Sequence, residues 1–336
     1  MSIRVAINGA GRIGRAFYKL AKERKDLEII AVNDLGSRES IEYLLKHDSV
    51  YGKWDGKFDV QFFSEEDPAN LPWKDLNIDV VIESTGAFTT YEKAKAHLNA
   101  GAKRVVVTAP MKDPEAEQKL ATGQVIQGAT VLMGVNEEKL ATCQITSNAS
   151  CTTNAGSPLI AILEETLGIE KAILNTTHGY TASQSLVDGP SKKDLREGRA
   201  AAVNIVPSST GAAIAVTKAF TKLEGLFDGI SIRVPVVAGS IVDITFLSKK
   251  NTSAEEVNEI LKKAASDKRW AGIFTVTEEE LVSTDIVGSR YGSIADLKMT
   301  RVVGGNLVKV LAWYDNEMGY AHTLVEHVIK FGAAIK

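Results

Sequence analysis

The chain of 336 residues carries 39 Lys and Arg against 42 Asp and Glu, a formal charge of −3 at pH 7, with 44% hydrophobic and 24% charged residues. This is the profile of a globular protein long enough for about two domains, each with its own core. It offers no basic excess for nucleic acid or an anionic membrane, and no window reaches the ~18 uninterrupted apolar residues of a membrane-spanning helix.

"MSIRVAINGAGRIG" opens directly on a strand and a turn, without a signal-peptide pattern. Ile3, Val5 and Ile7 alternate as a strand, Gly9, Gly11 and Gly14 follow as G-x-G-x-x-G, and Phe17, Leu20 and Ala21 mark the apolar face of a helix. In such a unit the first glycine permits a tight turn and the second lets the backbone approach a pyrophosphate. The third lets helix and strand pack, and the helix N-terminus offers free N–H groups to the anion. A second strand, "LEIIAVND", ends in Asp34, twenty residues after Gly14. A carboxylate there accepts hydrogen bonds from an adenosine ribose and repels a 2′-phosphate, and the next arginine is Arg38, so the pattern favours NAD over NADP. "IDVVIESTG" and "AKRVVVTAP" read as further strands around a helix over 91–100, and place Thr85, Gly86 and Thr108 at carboxyl ends. Alternating strands and helices predict a parallel sheet with right-handed crossovers, whose ligands gather at those ends.

"QITSNASCTTNAGSPLIAILEETLG" reads as a short strand, a turn holding Cys151, and a helix ending near Gly168. A thiol at a helix N-terminus is expected to have a lowered pKa, which favours the nucleophilic thiolate. Cys143 lacks that setting and reads as core filler, and the two cysteines sit on different local patterns, which argues against a disulfide and for a reducing cytoplasm. His47 and His97 lie in helical, lysine-containing stretches, and His322 and His327 lie on a C-terminal helix; all four read as structural or solvated. His178 differs, because it follows the strand "KAILNTT" and opens the loop "HGYTASQS". From there an imidazole can reach into a cleft, and spacing alone equally allows a satisfied loop histidine. "GISIRVPVV", "SIVDITFLS" and "LVKVLAWYD" read as long strands covered by helices such as "SAEEVNEILKKAA". The expected fold is α/β: a Rossmann NAD-binding domain over 1–150, completed by a C-terminal helix over 316–336, and an α+β catalytic domain over 151–315 with a mainly antiparallel sheet.

Taken in order, "INGAGRIGR", "ESTGAF", "SNASCTTN", "NIVPSSTGAA", "IRVP" and "WYDNEMGYA" closely resemble the phosphorylating glyceraldehyde-3-phosphate dehydrogenase family over essentially the whole chain. The resemblance implies oxidation of D-glyceraldehyde 3-phosphate to 1,3-bisphosphoglycerate. In that chemistry Cys151 attacks the aldehyde to form a thiohemiacetal, His178 removes the hydroxyl proton as hydride passes to NAD, and inorganic phosphate cleaves the thioester. It also implies that Thr181 and Arg233 hold the substrate's terminal phosphate, and that Ser150, Thr152, Thr210 and Gly211 hold the attacking phosphate with Arg196 as a candidate beside them. For the cofactor it adds Arg12 and Ile13 at the glycine turn, Asn316 on the nicotinamide carboxamide and Tyr320 near the ring. Leu35 and Pro190 would crowd the space of a 2′-phosphate. The segment from His178 to about Arg199 matches a loop that lies against a neighbouring subunit's cofactor site, which implies a homotetramer. No metal, membrane or primary nucleic-acid partner is implied.

The chain departs from the family pattern at several points. Ala10 stands where many members have phenylalanine, and Glu197 in "DLREGR" replaces an arginine, leaving Arg196 and Arg199. Glu66 further discourages a 2′-phosphate. The segment between Lys46 and Glu65 is shorter than usual by roughly a dozen residues, as a trimmed surface hairpin would be. Ala155 stands where a second cysteine is frequent, so peroxide is expected to drive Cys151 to sulfenic and higher oxides rather than to an intrachain bridge. The nearest alternative is erythrose-4-phosphate dehydrogenase, which shares the mechanism. Aspartate-semialdehyde-type reductase chemistry is disfavoured by "SNASCTTN" and "STGAA". A non-catalytic nucleotide- or RNA-binding protein of the same fold would not require Cys151, His178, Arg233 and Asn316 together.

Overall fold

The computed structural model describes residues 2–115, 117–191 and 194–335. The chain divides into two compact units: one runs to Ser150 and resumes at Ala321, and the other spans Cys151–Tyr320. Among the described residues no helix is long and apolar enough to cross a membrane.

The first unit is built on β1 (Ile3–Asn8), β2 (Leu27–Asn33), β3 (Gln61–Phe63), β4 (Val80–Glu83), β5 (Arg104–Val107), β6 (Gly128–Thr130) and β7 (Ile145–Ser147). Their order across the sheet is β6-β7-β5-β4-β1-β2-β3, and every pairing is parallel. β4 and β5 are buried at every position and apolar but for Glu83 and Arg104, as strands covered on both faces must be. Helices α1 (Arg12–Ala21), α2 (Arg38–Lys46) and α3 (Tyr91–Asn99) supply crossovers. Ser37 caps α2 by accepting from the Ser40 N–H, and Thr90 caps α3 by accepting from the Lys93 N–H. Strand order reverses between β1 and β4, which opens a crevice at their carboxyl ends. The C-terminal helix, Met318–Ala333, buries Leu324, Val328 and Phe331. Arg104 stacks 4.4 Å above the Phe331 ring and donates to the Phe331 and Ala334 carbonyls, satisfying acceptors that a helix end leaves open.

The second unit carries β8 (Ile169–Gly179), β9 (Val206–Ser209), β10 (Phe227–Val234), β11 (Ser240–Ser248), β12 (Phe274–Thr277), β13 (Ser293–Asp296), β14 (Arg301–Val303) and β15 (Leu307–Tyr314). The order is β9-β10-β8-β11-β15-β13-β12, with β14 beside β15. The pairings are antiparallel except β8 with β10 and β12 with β13. Burial alternates residue by residue along β11 and β15, so one face is core and the other is open. Helix α4 (Cys151–Thr166) covers the core face against β8, β11, β13 and β15, and packs on α5 (Ala212–Ala219) and α6 (Ala254–Ala265). Gly168, at φ +72°, ends the α4 segment, with its N–H on the Leu163 carbonyl. One expectation changes here. His178 does not open a loop: β8 continues through His178 and Gly179, because the parallel partner β10 pairs Arg233 and Val234 with them.

Candidate active site

In the first unit the glycine turn behaves as its spacing requires. A Cβ on Gly14 would stand 2.1 Å from the Gly9 carbonyl oxygen, and Gly9 itself takes φ +97° against the backbone of Ser84 and Thr85. Beside it lies a cleft of about 500 Å³ lined by Gly9, Gly11, Asp34, Leu35 and Thr85, together with Glu66. A Cβ on Gly11 would meet nothing, so this position faces free space at the N-terminus of α1, where an anion can approach first-turn N–H groups. Asp34 accepts from the Ala10 N–H at 2.6 Å and the Gly36 N–H at 2.8 Å, which fixes its carboxylate and leaves further lone pairs for ribose hydroxyls. These residues fit a dinucleotide. The Arg12 guanidinium is turned to Asp48 at 2.8 Å and lies over Tyr51, while Ile13 sits half-buried in the first turn. Gly86 takes φ +76°, and the Thr108 N–H bonds to the Glu83 carbonyl.

Behind the cleft is a network that sequence reasoning missed. Glu83 is buried, and one carboxylate oxygen accepts both the Thr85 N–H at 2.8 Å and the Thr85 hydroxyl at 2.5 Å. The other accepts from Asn8 at 2.6 Å and faces His97 Nε2 at 2.9 Å. The Trp73 indole N–H points at His97 Nδ1 at 3.1 Å, so a neutral His97 carries its proton on Nε2 and donates it to Glu83. Asn33 continues the chain, donating to Asn8 and accepting from the Glu65 N–H. The ends of β1, β2 and β4 are thus tied from behind. The visible signal was Glu83 itself, a lone carboxylate closing the apolar run "IDVVIES".

In the second unit Cys151 is the first residue of α4, half-buried, with its Sγ 3.2 Å from His178 Nε2. On the far side of the ring, His178 Nδ1 lies 2.6 Å from the Gly179 carbonyl oxygen and 2.5 Å from Arg233 Nη1. Tyr314, also missed from sequence, sets its ring edgewise to His178 at 5.9 Å. Its hydroxyl joins the hydroxyls of Thr152 at 2.9 Å and Thr176 at 2.7 Å. The Gly179 N–H donates to Ser240 Oγ, which donates to the Asn316 carboxamide oxygen at 3.1 Å, and the Gly239 N–H reaches the same oxygen at 3.2 Å. Asn316 is therefore held by its oxygen with its NH₂ left to donate. Tyr320 is buried.

One expectation about this site changes. A lowered pKa was expected for the Cys151 thiol, and burial instead pushes it up; the Arg233 guanidinium and the Thr152 N–H pull it only part of the way back. Desolvation outweighs the helix terminus. Burial, and then Arg233, push His178 down to about 3. The Thr152 hydroxyl lies 2.9 Å from the Tyr314 hydroxyl.

The remaining phosphate candidates lie on polar turns. Thr181 bonds Ser183 at 3.0 Å, Thr210 accepts from the Ala212 N–H where α5 begins, and Gly211 caps α5. Ser150 immediately precedes α4. Arg196 is exposed and gripped by Asp194 through two contacts of 3.0 and 2.8 Å, Arg199 pairs with Asp188, and Glu197 accepts from Ser208. Pro190 is exposed.

A family model described as the glyceraldehyde 3-phosphate dehydrogenase NAD binding domain matches residues 3–91, and one described as the C-terminal domain of the same enzyme matches residues 150–316. Similar curated proteins include a glyceraldehyde-3-phosphate dehydrogenase of Thermotoga maritima, 46% identical over 338 residues, covering 96% of this chain and 97% of the relative. Glyceraldehyde-3-phosphate dehydrogenase 2 of Streptomyces avermitilis is 42% identical with 99% of each chain covered. Glyceraldehyde-3-phosphate dehydrogenase 2 of Saccharomyces cerevisiae is 42% identical, covering 98% of this chain and 99% of its own. With a fitting dinucleotide cleft in one unit, a cysteine against a histidine in the other, and matches of this extent, the chain belongs to the glyceraldehyde-3-phosphate dehydrogenase family.

Proposed function

We propose that the chain catalyses the NAD-dependent phosphorylating oxidation of D-glyceraldehyde 3-phosphate, with Cys151 as nucleophile and His178 as its general base. The observation that carries the reading is the 3.2 Å approach of Cys151 Sγ to His178 Nε2 in a member of this family. The Cys151 thiol adds to the aldehyde carbon, giving a thiohemiacetal whose hydroxyl proton His178 Nε2 accepts as the carbon is oxidised to a thioester. Inorganic phosphate then attacks the thioester carbonyl and expels the Cys151 thiolate, and the acyl phosphate leaves. NAD, when bound, supplies the two-electron acceptor. Gly9, Gly11 and the start of α1 would hold its pyrophosphate, Asp34 its ribose, and Asn316 its carboxamide.

Arg233 and Thr181 are assigned to the substrate's phosphate, and Ser150, Thr152, Thr210 and Gly211 to the attacking phosphate. Arg233 suits the former role, because among the described residues no carboxylate pairs with it, and its Nε is buried without a partner. Assembly as a homotetramer in the cytoplasm completes the proposal. Its support is the open face of the second sheet, where Ile173, Ile230 and Val303 are exposed around an apolar groove of about 520 Å³, and the exposed Leu186, Val187 and Leu195 of the loop after β8. Replacing Cys151 by Ser should abolish turnover, and His178→Asn should lower kcat by roughly 10²–10⁴-fold. Turnover by Cys151→Ser at the rate of the parent protein would refute the assignment.

A further inference from the structure

An asparagine side chain can present either its oxygen or its NH₂ to a ligand, and Asn316 is held to one of the two. Two donors converge on its oxygen: the Gly239 N–H at 3.2 Å and the Ser240 hydroxyl at 3.1 Å. A backbone N–H can only donate, so the Gly239 bond decides which end of the amide is oxygen. With the oxygen so fixed, the Ser240 hydroxyl has to donate to it, while it accepts the Gly179 N–H at 3.1 Å. Turning the amide over would set NH₂ against the Gly239 N–H, donor against donor. Ser240 is 1% and Asn316 5% exposed, so such a clash would go largely unrelieved by water.

Strand register assembles this corner. β11 and β15 pair Ser240 with Tyr314, and Asn316 follows two residues later. Asp315 fixes the exit from β15: its fully buried carboxylate accepts the Gly288, Glu317 and Met318 N–H groups at 2.8, 2.8 and 2.9 Å. On the other side Gly239 takes φ +88°, and a Cβ there would stand 2.3 Å from the Ser283 carbonyl oxygen. Only glycine fits that corner. Because Gly179 follows His178 on β8, the Ser240 hydroxyl joins the strand end that carries the histidine to the amide assigned to the cofactor.

We propose that Ser240 is a positioning residue for NAD, acting through Asn316, and the proposal rests on the assignment of Asn316 to the nicotinamide carboxamide made above. With the Gly239 N–H it clamps the Asn316 oxygen, so that the NH₂ alone is offered to the carboxamide's carbonyl oxygen. An amide set before the cofactor arrives does not have to be ordered on binding. Without the Ser240 hydroxyl, the Gly179 N–H loses its acceptor and the Asn316 oxygen keeps one of these two donors. The amide then samples orientations of which only one serves the cofactor.

The test is calorimetric binding of NAD and of ADP-ribose, which keeps the adenosine and pyrophosphate but has no nicotinamide. Ser240→Ala should weaken NAD by about tenfold and leave ADP-ribose within about twofold of the parent protein. Asn316→Ala should weaken NAD at least as much. The double variant should bind NAD no more weakly than Asn316→Ala, because a clamp has nothing to hold once the amide is gone. A residue that merely stabilises the second unit gives losses that add in the double variant. Additive losses, or parent-like NAD affinity in Ser240→Ala, overturn the proposal. Should Ser240→Ala be too unstable to titrate, Ser240→Cys keeps the volume with a weak donor in place of the hydroxyl and carries the same predictions. Failure of the underlying assignment is separately visible, since Asn316→Ala would then bind NAD as the parent does.

Discussion

His327 allows a prediction that depends chiefly on burial. It is fully buried on the C-terminal helix, with Nε2 2.8 Å from the Thr146 hydroxyl and Nδ1 3.0 Å from the Asn148 carboxamide oxygen. Burial, and then Lys330, push it down to about 3 from an ordinary 6.5. Because the folded value lies below the unfolded one, the unfolded chain binds more protons between them, and stability must fall as the pH falls below about 6.5. At pH 5 the unfolded histidine is about 1.5 pH units inside its protonated range, which at about 1.4 kcal/mol per unit is about 2 kcal/mol of lost stability. His178, held down to about 3 in the same way, loses a similar amount. Chemical denaturation followed by the fluorescence of buried Trp73, in the same unit as His327, measures the effect at pH 8 and pH 5. His327→Leu should be less stable than the parent at pH 8, since Thr146 and Asn148 each lose a hydrogen bond, yet should lose about 2 kcal/mol less on moving to pH 5. Equal losses in parent and variant would refute the reasoning.

Three further outcomes follow from the geometry. Glu83→Gln removes a charged acceptor from the back of the Thr85 turn and should weaken NAD binding by roughly tenfold in calorimetry while leaving kcat within about twofold. Gly14→Ala puts a methyl group against the Gly9 carbonyl oxygen, so the first unit should unfold at markedly lower temperature and NAD affinity should fall together with it. Tyr314→Phe removes one hydrogen bond from each of two threonine hydroxyls and should destabilise the second unit by about 1–3 kcal/mol, with a fall in kcat as the Thr152 end of α4 loosens.

The parts of the site legible in the sequence are those set by neighbours along the chain. Gly9 and Gly14 declare a turn whose stereochemistry excludes side chains, Gly11 leaves free space at the helix start, Asp34 closes the next strand, and Cys151 stands among small polar residues at the start of a helix. The parts that were not legible come from residues far apart in sequence. The contact of Arg233 with His178 spans 55 positions and depends on the parallel register of β8 and β10. Tyr314 reaches Thr152 across 162 positions. The Cys151 thiol was misjudged for the same reason: the helix terminus is a local feature, whereas the burial that overrides it is assembled by the whole unit. Glu83 was within reach, because a carboxylate ending an apolar strand has to find donors.

The most direct test follows NADH formation from D-glyceraldehyde 3-phosphate and from erythrose 4-phosphate, each with and without inorganic phosphate. The account predicts rapid oxidation of the triose that depends on phosphate, with an acyl phosphate as product. Preferential oxidation of the tetrose, unaffected by phosphate, would contradict it.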